Sequence, residues 1–149
     1  MKIKYDNRLI IDFEDYENIN IILGDSGIGK TKLVRDLKNL ITSYQTGGNV
    51  ESDYPIEDIV IIEDGDILRG DYTRFKRKMI FIDNFDRKAN DKLMKFIRTS
   101  ENCFYLIGRD KVFELGSLIS FNILLYDGNT YRLVNKYYDR AEFNKLYKT

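Results

Sequence analysis

Residues 19–37 read Ile19-Asn20-Ile21-Ile22-Leu23-Gly24-Asp25-Ser26-Gly27-Ile28-Gly29-Lys30-Thr31-Lys32-Leu33-Val34-Arg35-Asp36-Leu37, and their pattern decides the fold class. The first five residues are a short, almost wholly apolar run that reads as a buried strand. From Lys30 onward Leu33, Val34, Leu37, Leu40 and Ile41 recur at spacings of three and four, the period of an amphipathic helix. Between strand and helix, Gly24 to Thr31 matches Gly-x-x-x-x-Gly-Lys-[Ser/Thr] at every fixed position. About 0.005 such matches are expected by chance in a chain of this length and composition. The chemistry explains the spacing. Glycines let successive backbone N–H groups wrap a phosphate, and the following helix aims its positive dipole end at the same anion. Lys30 is expected to reach the β and γ phosphates, and the Thr31 hydroxyl to bind Mg²⁺. The expected nucleotide-binding stretch is Gly24, Asp25, Ser26, Gly27, Ile28, Gly29, Lys30, Thr31 and Lys32.

Working outward, residues 2–5 and 9–13 read as two short strands around the turn-prone pair Asp6-Asn7. The first helix is expected to end near Tyr44, before Gly47-Gly48, with a surface loop over 45–57. Residues 59–62 and 79–82 are continuous apolar strands, the kind that suits a parallel sheet covered on both faces. A helix over 88–99, a strand over 103–107 and a helix over 112–119 follow. Residues 121–126 and 130–134 form a hairpin around Asp127-Gly128-Asn129, and a last helix covers 139–147. The alternation predicts one α/β domain over 1–149: three layers, a mainly parallel sheet with antiparallel strands and hairpins at its edge.

A phosphate loop of this kind works with a carboxylate at the end of a neighbouring strand, which holds the magnesium shell. Lys78-Met79-Ile80-Phe81-Ile82-Asp83 supplies one, with Glu63-Asp64 after the 59–62 strand as the alternative. A glutamate directly after this aspartate would orient the attacking water, but that position is Asn84, which accepts no proton. Asp86 substitutes if the loop turns back; otherwise it is a solvated loop acid. Strand 103–107 exits through Gly108-Arg109-Asp110, where Arg109 is either a reporter of the γ-phosphate or a surface arginine paired with Asp110. Catalysis is thus expected to rest on Lys30, Asp83, Asp86 and Arg109, with Thr31 and Asp83 on the metal.

Composition narrows the alternatives. In 149 residues there is no histidine, which removes imidazole bases, His-dependent triads and His-ligated zinc. The single cysteine, Cys103, makes no internal disulfide or zinc cluster and reads as a small buried residue. Lysine plus arginine number 24, as do aspartate plus glutamate, so no global field draws nucleic acid or an anionic membrane. No apolar run approaches the ~18 residues of a membrane span, and the start MKIKYDNR has no signal-peptide apolar region, so the expected location is cytoplasmic. The local charge is less even. Residues 51–66 hold seven acids and no lysine or arginine, while 69–78 hold Arg69, Arg74, Lys76, Arg77 and Lys78 against Asp71. Either these are two solvated faces, or the 51–78 region is a docking surface with Tyr72 and Phe75 among the cations. Five cations without a neighbouring basic arm favour a protein partner over nucleic acid. The aromatic stripe of the last helix (Tyr137, Tyr138, Phe143, Leu146, Tyr147) packs on the parent sheet or meets a membrane or partner; packing is the expectation.

The segments INIILGDSGIGKTKLVRDL, MIFIDNFD, CFYLIGRD and NILLYDGNTYRLV, in that order, resemble the nucleotide-binding core of ABC-type P-loop ATPases, especially their RecF/SMC-like branch. The IDNFDR stretch is also similar to strand ends of other P-loop families. The resemblance implies ATP as the nucleotide, with Mg²⁺, and base stacking on an aromatic of the N-terminal strands. Tyr5, Phe13 and Tyr16 are the candidates, although core or edge packing is the expectation for each. With 149 residues and no second domain, any output of hydrolysis is expected to pass to a protein partner. The departures are specific. Only about 35 residues separate the first helix from Lys78, leaving no room for the family's helical lobe, and no LSGGQ-like run is present. Asn84 replaces the glutamate after Asp83, and Arg109 stands near the place of the family's switch histidine. The expected function is therefore ATP binding with weak or partner-stimulated hydrolysis. The alternatives are a non-hydrolysing regulatory module and a small-molecule kinase using Glu63 or Asp64 as base.

Overall fold

In the computed structural model, residues 1–14, 18–23, 29–108 and 119–137 are described, the side chains of 119–121 and 135–137 excepted. Nine strands form one sheet: β1 (Lys2–Tyr5), β2 (Leu9–Asp12), β3 (Ile19–Leu23), β4 (Val50–Ser52), β5 (Ile59–Ile62), β6 (Met79–Ile82), β7 (Cys103–Ile107), β8 (Ile119–Asp127) and β9 (Thr130–Tyr137). Their order across the sheet is β4-β1-β2-β9-β8-β3-β7-β6-β5. The run β8-β3-β7-β6-β5 is parallel throughout, and antiparallel pairs join β1 to β2, β1 to β4 and β8 to β9. The molecule is thus an α/β protein with a mixed, mostly parallel, strongly curled sheet and antiparallel strands toward one edge.

Strand parity separates two cores. On one face Ile22, Phe81, Tyr105 and Ile107 meet Leu33, Val34, Leu37 and Leu40 of helix α1 (Lys30–Gln45). On the other, Ile21, Leu23, Ile80, Ile82, Phe104 and Leu106 meet Leu93, Phe96 and Ile97 of helix α4 (Asp91–Thr99), with Tyr72 and Phe85. The wholly or nearly wholly apolar β3, β6 and β7 therefore sit inside the sheet with both faces covered, whereas the equally apolar β5 is its edge strand and is less deeply buried. Each such Ile, Leu or Phe contributes about 1.5–3 kcal/mol by leaving water. Phe81 stacks on Tyr105 at 4.7 Å between ring centroids, which ties β6 to β7 beneath α1.

α1 ends in a Schellman closure, the N–H of Gly48 donating to Ser43 O at 2.7 Å and that of Gly47 to Tyr44 O at 3.2 Å. The Gly47-Gly48 pair thus stops the helix one residue past the expected Tyr44. The 45–57 stretch is not all loop. It contains β4, held in register with β1 (Ile3 opposite Ser52), and a 3-10 turn at Ile56–Asp58. A second helix, α2 (Asp64–Arg69), and a 3-10 turn at Asp71–Arg74 had no periodic signal. The helix expected over 88–99 is two. Short α3 (Phe85–Lys88) ends at extended Ala89, and Asn90 then caps α4, its Oδ1 accepting from Leu93 N–H at 2.8 Å. The hairpin strands run longer than expected, and Ile119 opens β8 instead of closing a helix; the rest of 112–118 and the 139–147 helix lie outside the described residues. Among the described residues, no helix is long and apolar enough to cross a membrane.

Candidate functional site

Parallel strands place their carboxyl ends at one edge, so the residues after β3, β5, β6 and β7 gather there. Positions 24–28, between β3 and α1, lie outside the described residues, as does Arg109. Gly29 is described and has φ of 95°, a left-handed conformation in which an L side chain is strained, directly before the first turn of α1. The second motif glycine is therefore required by the backbone that launches the helix.

Lys30 is buried at 7% exposure, and its Nζ donates to the main-chain oxygen of Gly108 at 2.7 Å. The lysine thus crosses from α1 to the end of β7. Asp86 comes to the same place from α3. A Cβ at Gly108 would collide with its Oδ1, so a glycine there is what lets the carboxylate approach. Lys30, Gly108 and Asp86 thus come together at the end of β7. Thr31 is exposed on the first turn of α1.

Asp83 stands half-buried at the end of β6, with β7 between that strand and β3, so its strand is next but one to the glycine motif rather than adjacent. Its Oδ1 accepts from Asn84 N–H at 2.9 Å, and its main-chain oxygen accepts from Lys88 Nζ at 2.5 Å. Asn84 has φ of 51° and ψ of 43°; asparagine visits this left-handed region more readily than glutamate does. The turn geometry is thus a physical reason for an amide at this position. Asp83, Asn84, Glu63, Asp64, Lys38 and Lys88 line one cleft of about 340 Å³ beside α1. The two acidic strand ends therefore share a site, but their charges differ in company. Glu63 pairs with Lys38, and Asp64 lies 3.2 Å from Lys88, whereas the Asp83 carboxylate makes no ion pair among the described residues. Among the described residues there is no cluster of three or more acidic or thiol groups arranged to hold a metal alone. A metal held by Thr31 and Asp83 would need phosphate oxygens to complete its shell, which is the usual arrangement for Mg²⁺.

A second cluster, which sequence reasoning missed, lies on the other flank of Lys30. Lys32 Nζ donates to Asp36 Oδ2 at 2.6 Å, Tyr131 Oη at 3.2 Å and Tyr126 Oη at 3.3 Å, and Tyr131 donates to Asp36 at 2.7 Å. The hydrogen bond to Asp36 holds the Lys32 ammonium well above its ordinary pKa. Burial alone would raise the Asp36 carboxyl, but the bonds from Lys32 and Tyr131 override it and keep it below its usual value. The only sequence signal was Lys32 itself, since Tyr126 and Tyr131 are far away along the chain.

Of the N-terminal aromatic candidates for base stacking, neither described one is placed at the end of β3. Phe13 is buried against Tyr105 at 5.4 Å, Tyr5 is on β1 with three strands between it and β3, and Tyr16 lies outside the described residues. The charged 51–78 region is largely paired within itself and with α1: Asp58 with Lys78 at 2.7 Å, Asp66 with Arg69 at 2.7 Å, Asp71 with Arg69 and Arg74 at 3.4 Å. Tyr72, expected among the exposed cations, is instead in the core at 1% exposure, because it closes the α4 side of the sheet against Phe96. Phe75 does line a groove of about 510 Å³, with Lys76, Lys92, Lys95, Phe96 and Glu101. Cys103 opens β7, where burial pushes its thiol up to about 12.

No protein-family model matches the chain, and no curated protein matches it significantly.

Proposed function

We propose that this chain is a small ATP-binding protein with a three-layer, P-loop NTPase-like fold, resembling a minimal ABC-type ATPase core without the signature lobe. The observation that carries the reading is the buried Lys30. It projects from the helix after the glycine motif to the carboxyl end of β7, beside Asp86 and at the edge that also bears Asp83. A buried ammonium at the start of a helix, at the carboxyl edge of a parallel sheet, suits a polyphosphate. ATP and Mg²⁺ fit the residues present. Backbone N–H groups of 27–31 would cradle the phosphates, Lys30 would exchange its carbonyl partner for phosphate oxygens, and Thr31 with Asp83 would hold the metal. Bound Mg²⁺ supplies charge neutralisation at the β and γ phosphates. Asp86 would accept the hydrogen bond of the attacking water, and Arg109 would sense the γ-phosphate. With Asn84 after Asp83, hydrolysis is weak or partner-stimulated, and the 51–78 region, with its Phe75 groove, is the surface offered to a protein partner.

The left-handed Asn84 favours one second reading, a regulatory module that holds nucleotide without turning it over. Calorimetric titration with Mg-ATP and phosphate release, on wild type, Lys30→Ala and Asp86→Asn, test both. Lys30→Ala is expected to weaken Mg-ATP at least about 30-fold, the usual loss when one partner of a buried charged contact is truncated. Unchanged affinity would end the nucleotide reading. Asp86→Asn should keep binding and slow phosphate release; no release from wild type would leave the non-hydrolysing module.

A further inference from the structure

We infer that Tyr126 is the platform on which the base of the bound nucleotide stacks, an inference that rests on the nucleotide reading above. β8 runs parallel to β3 and in register with it to Ile123, opposite Leu23. It then continues to Asp127, so its last four residues overhang the end of β3. Tyr126 is in that overhang, and its Cβ lies 3.9 Å from where a Cβ at Gly29 would be. The side chain of Tyr126 thus starts beside Gly29, the last glycine of the motif.

The polarity of the site places a base on this flank. Lys30 reaches toward β7, and Asp86 and Asp83 come from the β6 side, so the terminal phosphate belongs there. β8 flanks β3 on the opposite side from β7. A polyphosphate lying along the motif with its γ end toward β7 sends its nucleoside end toward β8.

The ring is also braced for the task. Tyr131 lies 4.5 Å away, tilted by 36°, and is fully buried, while the Lys32 ammonium sits 4.4 Å from the Tyr126 ring centroid. Asp36 holds Lys32 and Tyr131 together. Tyr126 itself stays 39% exposed. A half-exposed aromatic ring held by neighbours loses little freedom when a flat heterocycle covers it, and a purine offers the larger face.

Titration with Mg-ATP and with Mg-tripolyphosphate, which lacks base and sugar, separates the platform from the phosphate site. Tyr126→Ala should weaken ATP about 5- to 100-fold and leave tripolyphosphate unchanged, while Tyr126→Phe should stay within about threefold of wild type for both. The chain has no tryptophan, so Tyr126→Trp installs a sole indole whose emission should change with ATP and not with tripolyphosphate. Equal losses for both ligands in Tyr126→Ala would make the ring a prop for the loop and overturn the inference. So would an unaltered ATP affinity, or a wild type that binds the two ligands equally; in that last case the phosphate site stands alone. A wild type that binds neither ligand would remove both readings.

Discussion

Replacing Gly108 by alanine tests the constellation of Lys30, Gly108 and Asp86 without any ligand. Gly108 is buried after β7, its N–H donating to Ile22 O at 3.0 Å and its carbonyl accepting from Lys30. The added methyl would meet Asp86 Oδ1 head-on, with the carboxylate carbon close behind. Asp86 is carried by α3, whose Phe85 is 2% exposed in the core, so the carboxylate has little freedom to withdraw. Overpacking at such a contact costs about 1–3 kcal/mol. For a chain of this size about 2 kcal/mol lowers the melting temperature by about 4–8 °C. Thermal and urea unfolding followed by circular dichroism would measure it for Gly108→Ala, Asp86→Ala and the double variant. The double variant should recover at least about 1 kcal/mol relative to the sum of the single effects, because shortening Asp86 makes room for the methyl. A coupling below about 0.5 kcal/mol would refute the contact and, with it, the approach of Asp86 to the lysine.

Two further outcomes follow from the ionisable groups. The depressed carboxyl of Asp36 contributes stability that is complete above its ordinary value of 3.8 and is lost as pH falls through its lower folded value. Urea midpoints between about pH 2 and pH 7 should therefore drop less steeply at the acid end for Asp36→Asn than for wild type; parallel profiles would exclude this pair as a source of acid sensitivity. Burial that moves the Cys103 thiol from 9.0 to about 12 leaves roughly a thousandfold less thiolate at neutral pH. Its alkylation by iodoacetamide should be at least about 100-fold slower in native protein than in urea, and equal rates would show that the thiol is exposed.

The elements legible in the sequence were those whose pattern is local. β3, β5, β6 and β7 are apolar at nearly every position, and their bounds follow from that run alone. Asp83 was legible for the same reason, since it follows the end of β6. Gly29 and Lys30 were legible through the glycine motif after β3, whereas Gly108 was read only as part of the exit of β7. What the pattern hid depends on neighbours. β4 exists because β1 pairs with it, and α2 contains only Ile67 and Leu68 as apolar side chains, one of them 88% exposed. α2 is held by its ends, with Asp66 accepting from Glu63 N–H at 2.9 Å and Gly70 closing it in a left-handed conformation. The break at Ala89-Asn90 went unseen because a stripe of apolar residues can cross a cap without losing its period.

By itself, then, the sequence determined that strands and helices alternate, that a Gly-x-x-x-x-Gly-Lys-Thr stretch joins β3 to α1, and which acids close the next strands. Those are matters of period and spacing over a few residues. Only the tertiary structure decided that β7 lies between β3 and β6, that Tyr72 is core while Phe75 borders a groove, and that Lys30 meets Gly108 beside Asp86. It alone brought Tyr126 and Tyr131 onto the first turn of α1, where Lys32 and Asp36 hold them. Strand order and cross-sheet contact arise from which apolar faces fit together in three dimensions, and no short window of sequence carries that information.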